Sequence, residues 1–259
     1  MNTTKTKILV LGGTSEGIQI TKAIASAKNL SDTTEIFYSL AGRTNNVPDI
    51  PAKVRIGGFS STNINGVDGL VEYLTEQKID LLIDATHPFA EQISANATSA
   101  ANKVGIAVLR LERKAWQMPE NSDVLYVPDM AEAASVVART ARRVLLTIGS
   151  KDLDAFTAID KVHFVVRMIE PPKTTSPLDD FEIITGRPPF DLIDEENLMR
   201  HHDIDVLVSK ASGGAATFSK IQAASNVGAR IILIRRPSPP EGEAVEEIAA
   251  ALEWIKENI

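Results

Sequence analysis

Short apolar runs alternate with helix-like segments along this chain, and that alternation limits the fold more than any other feature of the sequence. The runs are rich in leucine and β-branched residues, which is typical of strands buried on both faces of a sheet. They lie at residues 8–11, 36–40, 81–83, 106–109, 144–148, 164–166, 206–208 and 231–234. Between them, apolar residues recur at helical spacing, as in residues 17–28, 67–78, 89–104 and 131–139. Alternating strands and helices predict an α/β fold with mainly parallel sheets.

The middle of the chain breaks this rhythm. Residues 114–123 (KAWQMPENSD) show no clear period and are interpreted as a linker. A chain of 259 residues is also long enough for two domains. We therefore predict an N-terminal domain over residues 1–115 and a C-terminal domain over residues 116–259.

Two segments of the first half recur in the second half. Residues 79–87 resemble residues 204–212, and residues 100–113 resemble residues 223–236. The recurrence is either common to any strand–helix–strand unit or the result of two related Rossmann-like halves. In the second case the ligand is expected between the copies, because such sheets bind at the carboxyl ends of their strands.

Composition excludes several classes of protein. The 27 basic and 34 acidic residues give a net charge of −7, which argues against a non-specific nucleic-acid-binding protein. The absence of cysteine excludes disulfides, thiolate zinc sites and cysteine nucleophiles. No apolar run approaches the roughly 18 residues of a membrane span, and the polar start lacks a signal peptide's apolar stretch. We expect a cytoplasmic protein without nucleic-acid or membrane partners and, since the histidines lack ligand spacing, without a metal site.

A glycine-rich turn follows the first predicted strand. Residues 12–17 (GGTSEG) match the outer glycines of the dinucleotide fingerprint G-x-G-x-x-G and have Thr14 at the middle glycine. Such a turn offers backbone N–H groups at a helix N-terminus to a pyrophosphate, although a plain strand-to-helix turn is the alternative. Glu16 would repel a phosphate beside it. We predict that Glu16 faces a ribose hydroxyl or a substrate group, unless it only stabilises the helix dipole.

The second predicted strand ends in residues 39–44 (SLAGRT). A strand end that binds NAD needs an acidic residue for the ribose 2′-hydroxyl, and Gly42, Arg43 and Thr44 do not provide one. The guanidinium of Arg43 suits a 2′-phosphate, so the sequence favours NADP. An ordinary surface arginine is the alternative.

The strand end at residues 84–90 (DATHPFA) offers a proton donor. It holds Thr86 and His87 at the edge of the sheet where ligands bind, and histidine can donate a proton near neutral pH. The alternative is that Thr86 caps the next helix and His87 only marks its start.

Residues 209–214 (SKASGG) occupy the corresponding position in the second half. Their small side chains let a ligand approach the backbone, and Lys210 could meet an anion, although a simple glycine turn is the alternative. Arginines also recur at strand ends, which in a chain of net charge −7 suggests a polyanionic ligand. They are Arg110, Arg113, Arg167, Arg187, Arg235 and Arg236.

Two common catalytic motifs are missing. No tyrosine is followed four residues later by lysine, as short-chain dehydrogenases require. No G-x-S-x-G nucleophile elbow is present either, which argues against an α/β-hydrolase.

An ordered set of motifs from residue 7 to residue 237 resembles the precorrin-6A (precorrin-6x) reductase family of cobalamin biosynthesis. The motifs are LGGTSEG, SLAGRT, IGGF (56–59), DATHPFA with SANA (94–97), LRLERKAW (109–116), RMIEPP (167–172), KASGG and ILIRRP. The chain departs from the family pattern at Ala211, where the family has asparagine, and in the RPPF segment at 187–190.

The resemblance implies two Rossmann-like domains with the active site in the cleft between them. It implies NADPH-dependent reduction of one ring double bond of precorrin-6A, or of its cobalt form, to precorrin-6B. With the motifs above, it predicts NADPH-binding residues Gly12, Gly13, Thr14, Glu16, Gly17, Gly42, Arg43, Thr44 and Thr86. For the polycarboxylate substrate it predicts Arg110, Arg113, Lys210, Ser212, Gly213 and Gly214. His87 is the candidate proton donor, with solvent or the substrate itself as alternatives.

Two other functional classes stay open on the sequence alone. One is a non-catalytic NADP-sensing module, and the other is a double-Rossmann transferase that uses a nucleotide sugar. The chain is expected to be a monomer or a small homo-oligomer in each case.

Overall fold

The computed structural model describes residues 5–42, 47–170 and 178–259. The chain divides into two compact units. Unit 1 comprises Met1–Arg113 together with Pro237–Ile259, and unit 2 comprises Lys114–Arg236. Each unit contains one sheet of six parallel strands with interleaved helices.

The described residues form twelve strands, numbered in chain order. They are β1 (Thr6–Leu11), β2 (Thr34–Leu40), β3 (Lys53–Ile56), β4 (Leu81–Asp84), β5 (Ala107–Leu111), β6 (Val124–Val127), β7 (Arg143–Thr147), β8 (His163–Met168), β9 (Phe181–Thr185), β10 (Val206–Lys210), β11 (Arg230–Ile234) and β12 (Glu243–Val245).

Eight α-helices are formed by the same residues, with short 3₁₀ helices at Ser150–Phe156 and Ala215–Thr217. The α-helices are α1 (Ser15–Ser26), α2 (Lys28–Ser31), α3 (Gly66–Gln77), α4 (Glu91–Val104), α5 (Met130–Thr140), α6 (Leu192–His201), α7 (Ser219–Val227) and α8 (Ile248–Glu257). None of the helices in the described ranges combines the length and the apolar character that a bilayer-crossing segment needs.

The two sheets share the order of five of their six strands. Sheet 1 runs β3-β2-β1-β4-β5-β12, and sheet 2 runs β9-β8-β7-β10-β11-β6. Sheet 1 follows the 3-2-1-4-5-6 order of a dinucleotide-binding fold. Sheet 2 has the same arrangement in its first five strands, but its sixth place is taken by β6, which comes first in unit 2. The order reverses between β1 and β4 and between β7 and β10. The predicted α/β fold with two Rossmann-like halves and parallel sheets is confirmed. The recurring segments coincide with β4–α4–β5 and β10–α7–β11, which occupy equivalent places in the two sheets.

The last strand of sheet 1 departs from the predicted division of the chain. β12, near the C-terminal end, pairs with β5 and completes sheet 1, while β6, just after the predicted linker, pairs with β11 and completes sheet 2. Helix α8 packs with α1, and its Ile255 lies in the core of unit 1. The second predicted domain therefore extends too far at its end, because residues 237–259 bury their apolar side chains in unit 1.

The core of unit 1 lies on both faces of sheet 1. Successive strand residues point to opposite faces, so Ile8 and Val10 pack towards α1 and α8, whereas Leu9 and Leu11 pack towards α3 and α4. Both layers are fully or almost fully buried. This two-sided burial holds the carboxyl ends of the strands rigidly along one edge.

Candidate functional site

The turn between β1 and α1 is closed by Tyr38 on β2. The Tyr38 side chain is buried, and its hydroxyl accepts a 3.1 Å hydrogen bond from the backbone N–H of Gly13. A β-carbon on Gly12 would lie 2.0 Å from Cζ of Tyr38, so only glycine fits there. Gly13 has a φ of +101°, a conformation that other residues rarely adopt. Burial raises the pKa of Tyr38 above its ordinary value, and the hydrogen bond from the N–H of Gly13 opposes this shift.

Thr14 stands at the middle glycine of the fingerprint because its hydroxyl has two structural partners. Its Oγ1 accepts a 3.0 Å hydrogen bond from the N–H of Gly17 and so caps α1. The same hydroxyl donates a 2.6 Å hydrogen bond to the carbonyl of Ala85. The glycine turn is thereby tied to the segment that follows β4.

The first turn of α1 retains donors for an anion. The backbone N–H groups of Ser15 and Glu16 have no acceptor within the described part of the chain. They lie at the N-terminus of a 12-residue helix, where the helix dipole also favours negative charge. Together with the space left by Gly13, these donors fit the pyrophosphate of a dinucleotide.

The carboxylate of Glu16 pairs with Arg113, which follows β5. Nε of Arg113 lies 2.8 Å from Oε2 of Glu16, and the Ser15 hydroxyl donates to the same oxygen at 3.0 Å. The pairing offsets the negative charge that would repel a phosphate at the helix N-terminus. The sequence singled out Glu16 and Arg113 separately, but nothing in it indicated that they contact each other.

Asp84, the last residue of β4, organises the next segment. Its buried carboxylate accepts hydrogen bonds from both the N–H and the hydroxyl of Thr86, at 3.0 and 2.6 Å. Nη1 of Arg110 lies 3.1 Å from the other carboxylate oxygen, and Nε of Arg110 contacts Glu112 at 3.1 Å. Since Thr86 uses its hydroxyl proton on Asp84, Ser94 is the donor in the 3.3 Å contact between the two hydroxyls. Arg110 is thus engaged by two carboxylates.

His87 lies beyond Thr86 at the carboxyl end of β4. Its Nδ1 accepts a 3.2 Å hydrogen bond from the N–H of Phe89, so the neutral ring carries its proton on Nε2. Its ring centroid lies 5.8 Å from that of Phe89. The helix begins only at Glu91, so Pro88 and Phe89 form a turn rather than the predicted start of α4. This arrangement gives His87 a defined donor atom.

The predicted 2′-phosphate segment is described only in part. Gly42 has a φ of +74°, and a β-carbon there would lie 3.2 Å from Cγ2 of Ile56. Arg43 and Thr44 lie outside the described residues.

The SKASGG segment of unit 2 is held by residues that the sequence did not assign to it. A β-carbon on Gly213 would lie 2.1 Å from Nη2 of Arg236 and 2.3 Å from the carbonyl oxygen of Lys114. The indole N–H of Trp116 donates to the carbonyl of Gly214 at 2.6 Å, and Nε of Arg236 donates to the carbonyl of Ala211 at 2.7 Å. The segment is therefore shaped by the start of unit 2 and the residues after β11.

Lys210 and Ser212 also lie in this segment. Nζ of Lys210 lies 2.6 Å from Oδ2 of Asp152, and both side chains are partly exposed. Ser212 is buried, and its N–H donates to the carbonyl of Lys210 at 2.7 Å. The lysine is held at the surface of unit 2 by a carboxylate.

A buried group of charges lies beneath the carboxyl edge of sheet 2. Arg167 on β8 pairs with Glu195 on α6, and the second carboxylate oxygen of Glu195 has no partner in the described ranges. Nζ of Lys220 donates to Oγ1 of Thr147 at 3.0 Å and lies 5.8 Å from the ring centroid of Trp116. Burial lowers the pKa of Lys220 to about 7, with Arg167 adding to the effect and Glu195 opposing it. The sequence singled out only Arg167 here. Glu195 and Lys220 lie in helices, where charged residues are usually exposed, so nothing in the sequence indicated that they are buried.

No set of three or more His, Asp or Glu side chains in the described ranges is placed to hold a metal ion.

The comparisons with known proteins agree with this architecture. The profile of the family described as "Precorrin-6x reductase CbiJ/CobK" matches residues 7–256. The chain belongs to this family. The Rhodococcus erythropolis protein named precorrin-6A reductase is 40% identical over 252 residues, covering 96% of this chain and 97% of that protein. The Priestia megaterium protein named cobalt-precorrin-6A reductase is 30% identical over 270 residues, covering 95% and 97%.

The fold is also found in a solved structure described as CobK precorrin-6A reductase. The TM-score is 0.88 at 35% identity, and the match covers 98% of this chain and 97% of that one. The predicted family is thereby confirmed, and with it an oxidoreductase of cobalamin biosynthesis. Its reductase activity implies a nicotinamide cofactor and a tetrapyrrole substrate. The comparisons favour neither a non-catalytic sensor nor a nucleotide-sugar transferase.

Proposed function

We propose that this chain reduces one ring double bond of metal-free precorrin-6A to give precorrin-6B, with NADPH as the reductant. The relative named precorrin-6A reductase is 40% identical, whereas the relative named cobalt-precorrin-6A reductase is 30% identical. The observation that carries the proposal is the glycine turn after β1, where Tyr38 and Thr14 hold the backbone and two N–H groups remain available.

Unit 1 carries the cofactor in this proposal. Gly12, Gly13, Thr14 and Gly17 shape the pyrophosphate site at the N-terminus of α1, and the N–H groups of Ser15 and Glu16 donate to it. Gly42, Arg43 and Thr44 receive the 2′-phosphate at the end of β2, and Thr86 borders the cofactor beside Ala85. Bound NADPH would supply the hydride, and the protein would orient the nicotinamide towards the substrate.

Glu16 binds a ribose hydroxyl of the cofactor. Its carboxylate is held by Arg113 at 2.8 Å, so the side chain is already oriented and its charge is offset. Such prior orientation lowers the entropic cost of binding.

Substrate carboxylates are bound by cations and by backbone groups. At the edge of sheet 1 they are bound by Arg113. At the edge of sheet 2 they are bound by Lys210, Ser212, Gly213 and Gly214. Arg110 was also predicted to contact the substrate. Because two carboxylates engage its guanidinium, we assign it the positioning of Asp84 and Thr86 instead.

His87 donates the proton that the reduction requires. Its Nδ1 is occupied by the N–H of Phe89, which leaves Nε2 as the donor atom. A general acid in such a position contributes a rate factor of roughly 10²–10⁴. Replacing His87 with Gln should slow single-turnover reduction and flatten its pH dependence. Unchanged rates across pH would remove His87 from this role.

The decisive experiment combines binding with turnover. Fluorescence titration should show tighter binding of NADPH than of NADH, and an assay with metal-free and cobalt-loaded precorrin-6A should show faster oxidation of NADPH with the metal-free form. Arg43→Ala should raise the KM for NADPH far more than that for NADH.

Two outcomes would contradict the proposal. Binding of NADPH without oxidation in the presence of either tetrapyrrole would indicate a sensor. Binding of a nucleoside-diphosphate sugar in place of NADPH would indicate a transferase. We further propose a cytoplasmic protein that acts as a monomer or small homo-oligomer without a nucleic-acid partner, consistent with its net charge of −7.

A further inference from the structure

We propose that Arg55, on the edge strand β3, is a second cation for the 2′-phosphate of the nucleotide and thereby determines the preference for NADPH over NADH. The inference rests on the proposed function, because it requires a nicotinamide dinucleotide at the carboxyl edge of sheet 1.

Arg55 reaches the end of β2 from the neighbouring strand. It is the register partner of Ser39, the last residue but one of β2, and its Nη1 donates to Oγ of Ser39 at 3.1 Å. The same guanidinium donates to the carbonyls of Gly57 at 2.7 Å and Gly58 at 2.8 Å. Arg55 therefore links the end of β2 to the loop that follows β3.

The orientation of the guanidinium is set by aromatic side chains. Its central carbon lies 4.0 Å from the ring centroid of Phe59 and 5.1 Å from that of Tyr73. Phe59 and Tyr73 contact each other edge to face, with centroids 5.6 Å apart. A guanidinium stacked in this way is held in one plane, which suits its forked donors to a phosphate.

The charge of Arg55 has no acidic partner within the described ranges. Its three hydrogen bonds go to neutral oxygens, which leaves two of the roughly five N–H groups of a guanidinium without an acceptor there. Arg110 and Arg113 at the same edge of unit 1 each contact a carboxylate instead. A half-buried cation without a counter-charge favours an anionic ligand.

The position of Arg55 identifies the anion. In a dinucleotide-binding sheet, the 2′-substituent of the adenosine ribose lies at the carboxyl end of the second strand. Ser39, which Arg55 contacts, is at that end. A 2′-phosphate carries about two charges and several acceptor oxygens, so it can use a second arginine besides Arg43.

The test uses two nucleotides that differ mainly in the 2′-phosphate, adenosine 2′,5′-bisphosphate and adenosine 5′-monophosphate. Calorimetric titration of the whole chain gives the Kd of each. Arg55→Met should weaken binding of the bisphosphate by about 10- to 100-fold and binding of the monophosphate by less than about threefold. Lys53→Met is the matched control, since Lys53 is a cation two residues earlier on the same face of β3 and pairs with Glu35. It should leave both dissociation constants nearly unchanged.

The outcomes separate this inference from the proposed function. If the wild-type protein binds both nucleotides equally, the assignment of NADPH fails and the role of Arg55 fails with it. Only the inference fails if the wild type prefers the bisphosphate and Arg55→Met retains that preference or weakens the binding of both nucleotides equally. If Arg55→Met does not fold, Arg55→Gln, which keeps a donor for the Gly57 carbonyl, provides the same comparison.

Discussion

The ring of Tyr38 lies so close to the backbone of Gly12 that a β-carbon on Gly12 would be 2.0 Å from Cζ of Tyr38. The Tyr38 hydroxyl also accepts the N–H of the next residue, Gly13. One buried side chain of β2 therefore determines both the residue type and the path of the turn that follows β1.

Gly12→Ala should lower the free energy of unfolding by about 1–3 kcal/mol and weaken NADPH binding, because the added methyl displaces Tyr38 or the turn. Urea unfolding and nucleotide titration measure the two effects. Gly58→Ala is the control for stability, since its β-carbon would meet only atoms of Ser60 at 3.9 Å. Equal stability of the two variants would contradict the packing argument.

Gly213→Ala should raise the KM for the tetrapyrrole and leave the Kd of NADPH unchanged. The added β-carbon would meet Nη2 of Arg236 at 2.1 Å and the Lys114 carbonyl at 2.3 Å, which shifts the segment that carries Lys210. Gly228→Ala is the control because Gly228 has a similar φ, +77° against +65°, and open space around it. Both variants should lose about 1–2 kcal/mol from backbone strain, and a raised KM in both would show that strain alone is responsible.

Asp84→Asn should destabilise the protein by about 2 kcal/mol, because Arg110, in a nearly buried site, loses one of its two carboxylate partners and keeps only Glu112. Denaturant unfolding measures the loss. Asp68→Asn removes an ion pair with Lys103 in which both side chains are more than half exposed, so the expected change in stability is much smaller. Similar losses in the two variants would refute the role given to burial.

Lys220→Met should make the protein more stable at pH 6, with a gain that shrinks as the pH rises. Burial lowers the pKa of Lys220 from 10.5 to about 7. Below pH 7 the lysine is charged in both states and the full cost of burying the charge is present, whereas between pH 7 and 10.5 only the unfolded chain holds the proton, so wild-type stability rises there.

The size of this effect follows from the shift itself. Each pKa unit corresponds to about 1.4 kcal/mol, so the gain at pH 6 is of the order of a few kcal/mol, less what the hydrogen bond to Thr147 contributes. Thermal unfolding between pH 6 and pH 10 measures it. Lys103→Met, at an exposed site, should change stability by less than about 1 kcal/mol. A Lys220→Met protein less stable than wild type at pH 6 would overturn the prediction.

The eight apolar runs found in the sequence correspond to β1, β2, β4, β5, β7, β8, β10 and β11, which are the inner strands of the two sheets. The four strands that were missed, β3, β6, β9 and β12, all lie at sheet edges. An edge strand is covered less completely, so its side chains alternate or are polar, as in the exposed–exposed–intermediate pattern of β12. Sequence periodicity detects burial rather than strand pairing, and it fails where burial is incomplete.

The candidate site also contains residues that the sequence predicts and contacts that it does not. The glycine turn, Thr86, His87 and the SKASGG segment were predicted because each follows a recognisable strand. Tyr38 beneath Gly12, Arg113 beside Glu16 and Lys220 beside Thr147 were not, because their contacts join residues far apart in the chain.

By itself, the sequence of this chain determined the strand–helix alternation, the inner strands, and the turns where glycine and small residues occur, since these follow from local periodicity and backbone freedom. Only the tertiary structure decided which segment completes each sheet, which charges pair, and which side chain lies under each turn. The physical reason is that burial of an apolar face can be read along the chain, whereas pairing between distant residues exists only once the sheets have formed.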